Sequence, residues 1–333
     1  MRVANLLLIL LLVGCSASQA IDTITPAIIE PATEIPPSPS PSQITPTPLP
    51  KLPTLTVTPT PKVPDFEHIV IIIFENREFG SVVGNSQMPY FNSLANQYTL
   101  LTQHYAIMHP SLPNYIALMG GDTFGFTTNS ENQSVNATSL PDLIEQSGRT
   151  WRAYEESMPS PCFEGSTLDY VKKHNPFAYF DTIRLDKERC DRTVVPMTEL
   201  YSDLSAKTLP NFVYITPNMC NSAHDCNLNV ADQWLYDLMV KLENYLNTGD
   251  ESYLILVTFE EGQGSHSCCG LPAEAGGRVP TILVSPQVKK GYQDDTPYTH
   301  FSILKTIAEA WGLPFLGKAA DENNALIEKP FSP

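Results

Sequence analysis

Two apolar runs restrict the fold more than any other feature of this sequence. HIVIIIF begins at His68 and YLILVTF begins at Tyr253, and both are nearly continuous in aliphatic, aromatic and β-branched residues. A strand that is buried on both faces has this composition, whereas a half-exposed strand alternates apolar and polar residues. Strands buried on both faces belong to sheets that helices cover on both sides, so the sequence predicts an α/β fold.

Three further apolar runs bring the predicted strands to five, and segments typical of helices lie between them. This alternation favours a mostly parallel central sheet sandwiched by helices, whose ligands bind at the carboxyl ends of the strands. The predicted strands are residues 68–76, 150–156, 211–216, 252–261 and 278–286. The predicted helices are residues 89–97, 112–120, 139–148, 230–247 and 300–312.

The N-terminal part of the chain has the pattern of an export signal followed by a spacer. Residues 1–15, MRVANLLLILLLVGC, contain one arginine and an apolar run too short for a membrane span, and they end like a bacterial lipobox at Cys15. The alternative is a plain signal peptide with a chance cysteine. Residues 16–64 hold 13 of the 30 prolines among Thr and Ser, which predicts an extended spacer. We therefore expect an exported lipoprotein, anchored in the cell-envelope membrane, with a single domain at residues 65–333.

The net charge of the chain disfavours one class of partner, the nucleic acids. The formal net charge is −16 and basic runs are absent from the sequence, which disfavours nucleic-acid binding. If the substrate is an anion, a local cation must offset this field, and a bound metal ion is the natural candidate.

Six cysteines besides Cys15 make an even number, which in an exported domain indicates disulfides. The pairs in chain order are Cys162 and Cys190, Cys220 and Cys226, and the adjacent Cys268 and Cys269. The first two pairs can each form a disulfide, and the adjacent cysteines either join each other or bridge elsewhere. A cysteine-based zinc site is disfavoured because the sequence has no C-x-x-C pair.

Polar residues follow the predicted strands at their carboxyl ends. Glu75 and Asn76 end the first strand, Glu260 and Glu261 end the fourth, and the third runs into TPNMCNSAHDC, which contains His224. Carboxylate and amide oxygens that converge at one sheet edge suit Mg²⁺, Ca²⁺ or Mn²⁺, and with histidine they suit Zn²⁺. Either acidic pair alone would be interpreted as solvated loop residues, but two such strand ends together favour a metal site.

The segment HPSLPNYIALMGG places Ser111 at the start of a predicted helix. Ser111 is either a plain N-cap or a nucleophile at the positive end of the helix dipole, where an anion is stabilised. His300 begins the last predicted helix and is a second candidate for anion contact, whereas we interpret His68 and His266 as polar surface. The nucleophile elbow G-x-S-x-G and the dinucleotide motif G-x-G-x-x-G are both missing from the sequence.

Several separated motifs resemble one known family. HIVIIIFENREF, HPSLPNYIAL, TPNMCNSAHDC, VTFEEG and RVPTILVSPQVKKG followed by HFSILKTIAEAWGL look like the bacterial and fungal phosphoesterases, which include acid phosphatases and phosphatidylcholine-type phospholipases C. The likeness spans almost all of residues 66–318 in the family's order. It implies an alkaline-phosphatase-like fold in which a metal holds the phosphate and a serine or threonine attacks phosphorus.

The resemblance also implies roles for individual residues. Ser111 matches the nucleophile and Asn114 the amide that contacts phosphate, while Tyr115 stands where sulfatases carry an arginine, which disfavours a sulfatase. Many relatives begin the acidic pair with Asp, so the longer Glu260 leaves metal preference open. The predicted catalytic residues are Ser111, Asn114 and His300, the predicted metal ligands are Glu75, Asn76, Glu260, Glu261 and His224, and His174 and Asn175 are second-rank candidates.

The sequence therefore predicts an exported, metal-dependent phosphoesterase that hydrolyses small phosphate monoesters through Ser111, in the manner of an acid phosphatase. The metal is Mg²⁺, Mn²⁺, Ca²⁺ or Zn²⁺. One alternative is a phosphodiesterase of the phospholipase C type that acts on lipid head groups. A lipoprotein that binds phosphate or metal without chemistry is the other alternative.

Overall fold

The computed structural model describes residues 62–249 and 251–331. The predicted signal peptide, Cys15 and residues 16–61 of the predicted spacer lie outside the described residues. Val63 is fully buried in the core, so packed structure begins within the last residues assigned to the spacer. Within the described residues, none of the helices is both long and apolar enough to cross a membrane.

One mixed sheet of nine strands organises the described residues, in the order β4-β3-β5-β1-β6-β7-β2-β8, with β9 paired to β2. The strand β7 runs antiparallel to both β6 and β2, and the other strand pairs are parallel. The strands are β1 (His68–Phe74), β2 (Thr99–Tyr105), β3 (Trp151–Glu155), β4 (Val194–Pro196), β5 (Phe212–Thr216), β6 (Tyr253–Phe259), β7 (Arg278–Val284), β8 (Tyr292–Asp294) and β9 (Tyr298–Thr299).

Helices cover both faces of the sheet. The α-helices are α1 (Phe79–Val82), α2 (Pro89–Gln97), α3 (Ser111–Gly120), α4 (Leu140–Gln146), α5 (Asp181–Arg184), α6 (Lys187–Thr193), α7 (Thr198–Ala206), α8 (Leu228–Leu246) and α9 (His300–Ala310). Short 3₁₀ helices span Lys172–His174, Pro176–Ala178 and Gly317–Ala320.

The central strand β1 explains the apolar run at the start of the domain. It lies between β5 and β6, and every one of its residues is buried. Ile69, Ile71 and Ile73 pack into a core that also contains side chains of α3, α4 and α9. Val70 and Ile72 point to the opposite face and pack into a second core with side chains of α2 and α8. Because both faces are covered, all positions of the strand after His68 are apolar.

All five predicted strands and all five predicted helices are present, with ends that differ by up to two residues. The strand β2 was not predicted, because half-buried Thr102 and Gln103 interrupt its apolar residues where it pairs with β7. His68 is also not the polar surface residue that the sequence suggested: it is buried, and its Nδ1 atom lies 2.9 Å from the Pro210 carbonyl oxygen. His266 is mostly exposed, as predicted.

Three disulfides are formed by the described cysteines. Cys162 joins Cys190 and Cys220 joins Cys226, as the spacing suggested. The adjacent Cys268 and Cys269 join each other, which resolves the alternative that the sequence left open.

Candidate active site

The centre of the site is a pair of carboxylates at the carboxyl ends of two neighbouring parallel strands. Glu75 follows β1 and Glu260 follows β6, and the last residues of these strands, Phe74 and Phe259, are partners in register. Both glutamates are completely buried. Asn76 links them: its backbone N–H donates to Glu260 Oε2 at 2.8 Å, and its side-chain amide donates to Glu75 Oε2 at 3.2 Å. Its left-handed φ of 51° turns the chain so that both bonds form.

Two aromatic side chains close the other side of Glu75. The Tyr115 hydroxyl donates to Glu75 Oε1, and His174 Nε2 lies 3.1 Å from the same oxygen. The rings of Tyr115 and His174 are stacked, with centroids 5.6 Å apart. The second-rank candidate His174 therefore belongs to the site, and Tyr115 occupies the position that is arginine in sulfatases.

The two buried carboxylates have opposite protonation preferences. Burial raises the pKa of Glu75, but the neighbouring His174 outweighs burial and lowers the pKa of Glu75 to about 2. Burial and the charge of Glu75 raise the pKa of Glu260 well above its usual range. Burial lowers the pKa of His174, and the neighbouring charge of Glu75 opposes this shift. Glu75 is therefore the more acidic of the two carboxyl groups.

Ser111 lies at the same edge of the sheet, as the first residue of α3. Its hydroxyl donates to Glu261 Oε1 at 3.0 Å, and its side chain is almost completely buried. The N-cap is Pro110 and not Ser111, because the backbone becomes helical only at Ser111. In the first turn, the N–H of Leu112 donates to Asn129 and Pro113 has no N–H, so neither residue offers a free donor.

Asn114 is buried, and its side-chain amide forms hydrogen bonds with the backbone that precedes Ser111. Its Oδ1 atom accepts from the N–H groups of Ile107 and Met108 at 2.8 and 3.2 Å. Its Nδ2 atom donates to the carbonyl oxygens of Met108 and Pro110 at 2.7 and 3.2 Å. The amide therefore shapes the 107–110 segment, and its predicted contact with phosphate stays a prediction.

The loop between β5 and α8 brings His224 to the site. Its Ser222 carbonyl oxygen accepts the N–H of Glu75 at 2.9 Å, and the Cys220–Cys226 disulfide closes the loop. The His224 ring centroid lies 6.0 Å from that of His174, and His224 Nδ1 lies 2.6 Å from Asp225 Oδ1. His224 is thus a partly exposed neighbour of the carboxylate pair.

His300 and Asn175 are buried beside the site and are engaged by other groups. His300 Nε2 donates to the main-chain oxygen of Glu260 at 2.6 Å, and burial lowers the pKa of His300 to about 4. Its ring packs edge-on against His104, with centroids 5.0 Å apart. The Asn175 amide donates to the Tyr170 hydroxyl at 3.1 Å and does not bond to the carboxylate pair. His300 supports the end of β6, and its predicted role in catalysis stays a prediction.

Sequence reasoning missed two residues that contact the loop after Glu261. His109 Nδ1 lies 2.5 Å from Glu261 Oε2, and the Glu78 carboxylate accepts backbone N–H groups of this loop. A signal existed for His109, since it stands two residues before Ser111 in the quoted motif. Its partner lies far away in the sequence, so only the folded chain reveals the contact.

The donor set at this edge consists mainly of oxygen atoms. In the part of the chain that the structure describes, no three His, Cys, Asp or Glu side chains are grouped as a ready metal cluster. Glu260 Oε1 is nonetheless buried without a hydrogen-bond partner, next to the carboxylate of Glu75 and the amide of Asn76. A hard cation satisfies such oxygens, so the residues present fit Mg²⁺, Mn²⁺ or Ca²⁺.

Comparison with known proteins decides the family. The model of the phosphoesterase family matches residues 85–314. The chain belongs to the phosphoesterase family. It is 35% identical over 262 residues to an acid phosphatase of Aspergillus fumigatus, a match that covers 76% of this chain and 56% of that relative.

Two further relatives extend the comparison of this phosphoesterase. A phosphatidylinositol-3-phosphatase of Mycobacterium tuberculosis is 30% identical over 266 residues, which cover 78% of this chain and 81% of that protein. The structure of an alkaline phosphatase superfamily protein from Vibrio parahaemolyticus superposes with a TM-score of 0.52 at 13% identity, and the match covers 80% of this chain and 72% of that protein. The chain therefore shares the fold of that protein, a mixed sheet between helices.

Proposed function

We propose that this phosphoesterase is an exported, metal-dependent enzyme that hydrolyses phosphate monoesters through Ser111. The observation that carries the proposal is the 3.0 Å hydrogen bond from the Ser111 hydroxyl to Glu261, at the start of α3 and at the same sheet edge as Glu75 and Glu260. A hydroxyl in contact with a carboxylate, at the positive end of a helix, has the surroundings of an activated nucleophile.

The reaction uses the side chains in two steps. Ser111 Oγ forms a bond to phosphorus while the bond from phosphorus to the leaving oxygen breaks, and Glu261 Oε1 accepts the serine proton. Partly exposed His224 is the better placed of the two predicted histidines to protonate the leaving oxygen, because His300 is fully buried. Water then attacks phosphorus and gives a proton to His224, the bond from phosphorus to Ser111 Oγ breaks, and Glu261 returns its proton to the serine oxygen, which releases phosphate.

The metal belongs to the same proposal. Glu75, Asn76 and Glu260 would hold it, and Glu261 and His224 remain the outer members of the predicted ligand set. When bound, a divalent cation neutralises phosphate charge and favours the ionised form of the attacking hydroxyl. The partnerless Glu260 Oε1 atom and the contact between two buried carboxylates support this assignment.

The relatives support the monoester substrate class. The names of the Aspergillus and Mycobacterium proteins describe phosphatases, whose substrates are phosphate monoesters. The chain spans 56% of the Aspergillus relative, so activity on monoesters remains our proposal for this protein. The three disulfides agree with export, and membrane anchoring through Cys15 rests on the lipobox pattern alone.

The test is phosphate release from p-nitrophenyl phosphate by the purified protein, before and after EDTA, with Mg²⁺, Mn²⁺, Ca²⁺ or Zn²⁺ then restored. We expect EDTA to remove activity, a metal to restore it, and Ser111→Ala to lower kcat by at least about 10³-fold with the fold intact. Ser205→Ala, which removes an exposed hydroxyl of α7, is the matched control.

Each proposed component has its own contradicting result. Wild-type activity in Ser111→Ala excludes the assigned nucleophile, and full activity in EDTA excludes the metal. Faster turnover of bis-p-nitrophenyl phosphate than of the monoester would identify a phosphodiesterase. Tight phosphate binding without hydrolysis in any metal would identify a binding protein.

A further inference from the structure

We propose that His109 is a positioning residue for the Ser111 reaction, because it holds the Glu261 carboxylate in the orientation that accepts the serine proton. This inference rests on the proposed function, and it adds a residue that lies outside the predicted catalytic and metal-binding sets. The hydrogen bonds of Glu261 and His109 support it.

The two oxygens of Glu261 are divided between two residues of the same short segment. Oε1 accepts the Ser111 hydroxyl at 3.0 Å, and Oε2 lies 2.5 Å from His109 Nδ1. Extended Pro110 separates the two residues, so their side chains reach the carboxylate side by side. The Glu261 side chain is 5% exposed and the His109 side chain is 42% exposed, so the histidine lies on the solvent side of the carboxylate.

The second ring nitrogen of His109 determines where its hydrogens lie. Nε2 is 3.0 Å from the carbonyl oxygen of Gly264, and a carbonyl oxygen can only accept, so Nε2 must carry a hydrogen. With Nε2 protonated, a neutral ring would present the lone pair of Nδ1 to the lone pairs of Glu261. The short contact between them therefore contains a proton, and because the proposal needs an ionised Glu261, the His109 Nδ1 atom carries this proton and donates it to Oε2. Rotation of the carboxyl group would break this bond.

Glu78 fixes the loop that provides the Gly264 carbonyl group. Its Oε2 atom accepts from the N–H groups of Gln263 and Gly264 at 3.1 and 3.0 Å, and its Oε1 atom accepts from the N–H of Arg278 at 3.1 Å. The fit is tight, since a Cβ atom on Gly262 would lie 2.2 Å from Glu78 Oε2. The loop is thus tied to the start of β7. The Gly264 carbonyl is therefore a fixed acceptor that orients the His109 ring, and the ring orients Glu261.

The test compares His109→Ala and His109→Asn with wild-type protein on p-nitrophenyl phosphate, in the presence of the metal that restores activity. We expect His109→Ala to lower kcat by about 10- to 100-fold, the range typical of residues that orient a functional group, with KM within about two-fold. The Asn amide can place a donor close to the position of Nδ1, so His109→Asn should recover at least about five-fold of the loss.

The matched control is Gln263→Ala, which removes an exposed side chain from the same loop and keeps the backbone N–H that Glu78 accepts. We expect its kcat and KM to equal those of the wild type. The half-exposed position of His109 predicts that all three variants fold, which thermal denaturation checks.

Three results would overturn the inference: a kcat of His109→Ala within about two-fold of the wild type, a change in KM alone, or equal losses in the Ala and Asn variants. Ser111→Ala, measured alongside, separates this failure from that of the proposed function. An active Ser111→Ala variant removes the proposed nucleophile itself. An inactive Ser111→Ala variant together with a fully active His109→Ala variant would exclude only the positioning role of His109.

Discussion

Charged side chains are arranged differently at the two ends of the strands of the central sheet. We call these ends the amino edge and the carboxyl edge. Beside the amino end of β3, Arg152 donates to Asp203 at 2.7 Å, so the acid has a basic partner. At the carboxyl ends of β1 and β6, Glu75 and Glu260 are both fully buried and lie next to each other. Two carboxyl groups buried side by side cost stability, because at most one of them ionises readily, whereas an ion pair with good hydrogen bonds compensates the cost of burial. The carboxyl edge therefore has an arrangement that stability alone does not explain.

Among the acidic residues of the two edges, removal of Glu260 should have the largest effect on activity. We expect Glu260→Gln to lower kcat on p-nitrophenyl phosphate by at least about 10²-fold, because the substitution removes a charge that the proposed metal needs. Its melting temperature should stay close to that of the wild type, since Gln resembles the protonated carboxyl group that burial and Glu75 favour at this position. Activity assays and thermal denaturation measure both effects, with the exposed Glu188→Gln as control. A large loss of stability would mean that Glu260 is a structural acid.

The amino edge should show the reverse behaviour. Asp203→Asn leaves Arg152 without its charged partner and weakens the bond from the Tyr154 hydroxyl, which is 2.5 Å from Asp203 Oδ2. We expect a loss of about 1–3 kcal/mol in the free energy of unfolding, since Arg152 is partly exposed and keeps some solvation. The kcat of the variant should stay within about two-fold of the wild type. Denaturant titration would contradict the comparison if Asp203→Asn were as stable as the wild type.

The smallest expected effect concerns a third acidic residue, Glu155. It ends β3 at the carboxyl edge, it is buried, and neither of its carboxylate oxygens has a hydrogen-bond partner. Burial raises the pKa of Glu155 well above its usual range, so the folded state binds this proton more tightly than the unfolded state. Stability attributable to Glu155 must therefore fall as pH rises above the unfolded-state pKa, toward the folded-state value.

The experiment is a series of melting temperatures between pH 4 and pH 8 for the wild type and Glu155→Gln. We expect the melting temperature of Glu155→Gln to rise relative to that of the wild type as pH increases. The difference should be about 2–4 °C for each kcal/mol of stability that the wild type loses. Two parallel curves would show that Glu155 keeps the same pKa in both states.

Prediction from sequence succeeded where a residue's surroundings follow from its neighbours in the chain. The apolar runs identified β1 and β6, and the position of Glu75 and Glu260 at the ends of these runs selected them as candidate site residues. It failed for β2, whose half-buried polar residues weaken the strand pattern, and for His109, whose partner Glu261 belongs to a different strand end. The interpretation of Ser111 as an N-cap was also one residue too late, since the N-cap is Pro110 and the helix begins at Ser111.

By itself, the sequence determined the α/β fold class, the five main strands and the residues that gather at one sheet edge. Local composition is sufficient for these features, because burial on both faces demands a continuous apolar strand. The tertiary structure alone decided which groups lie within hydrogen-bonding distance of the site carboxylates. The in-register pairing of β1 with β6 places Glu260 beside Glu75, and the loop after β6 brings Glu261 between Ser111 and His109. Hydrogen bonds act over about 3 Å, so such partners are set by the packing of distant segments and not by their order in the chain.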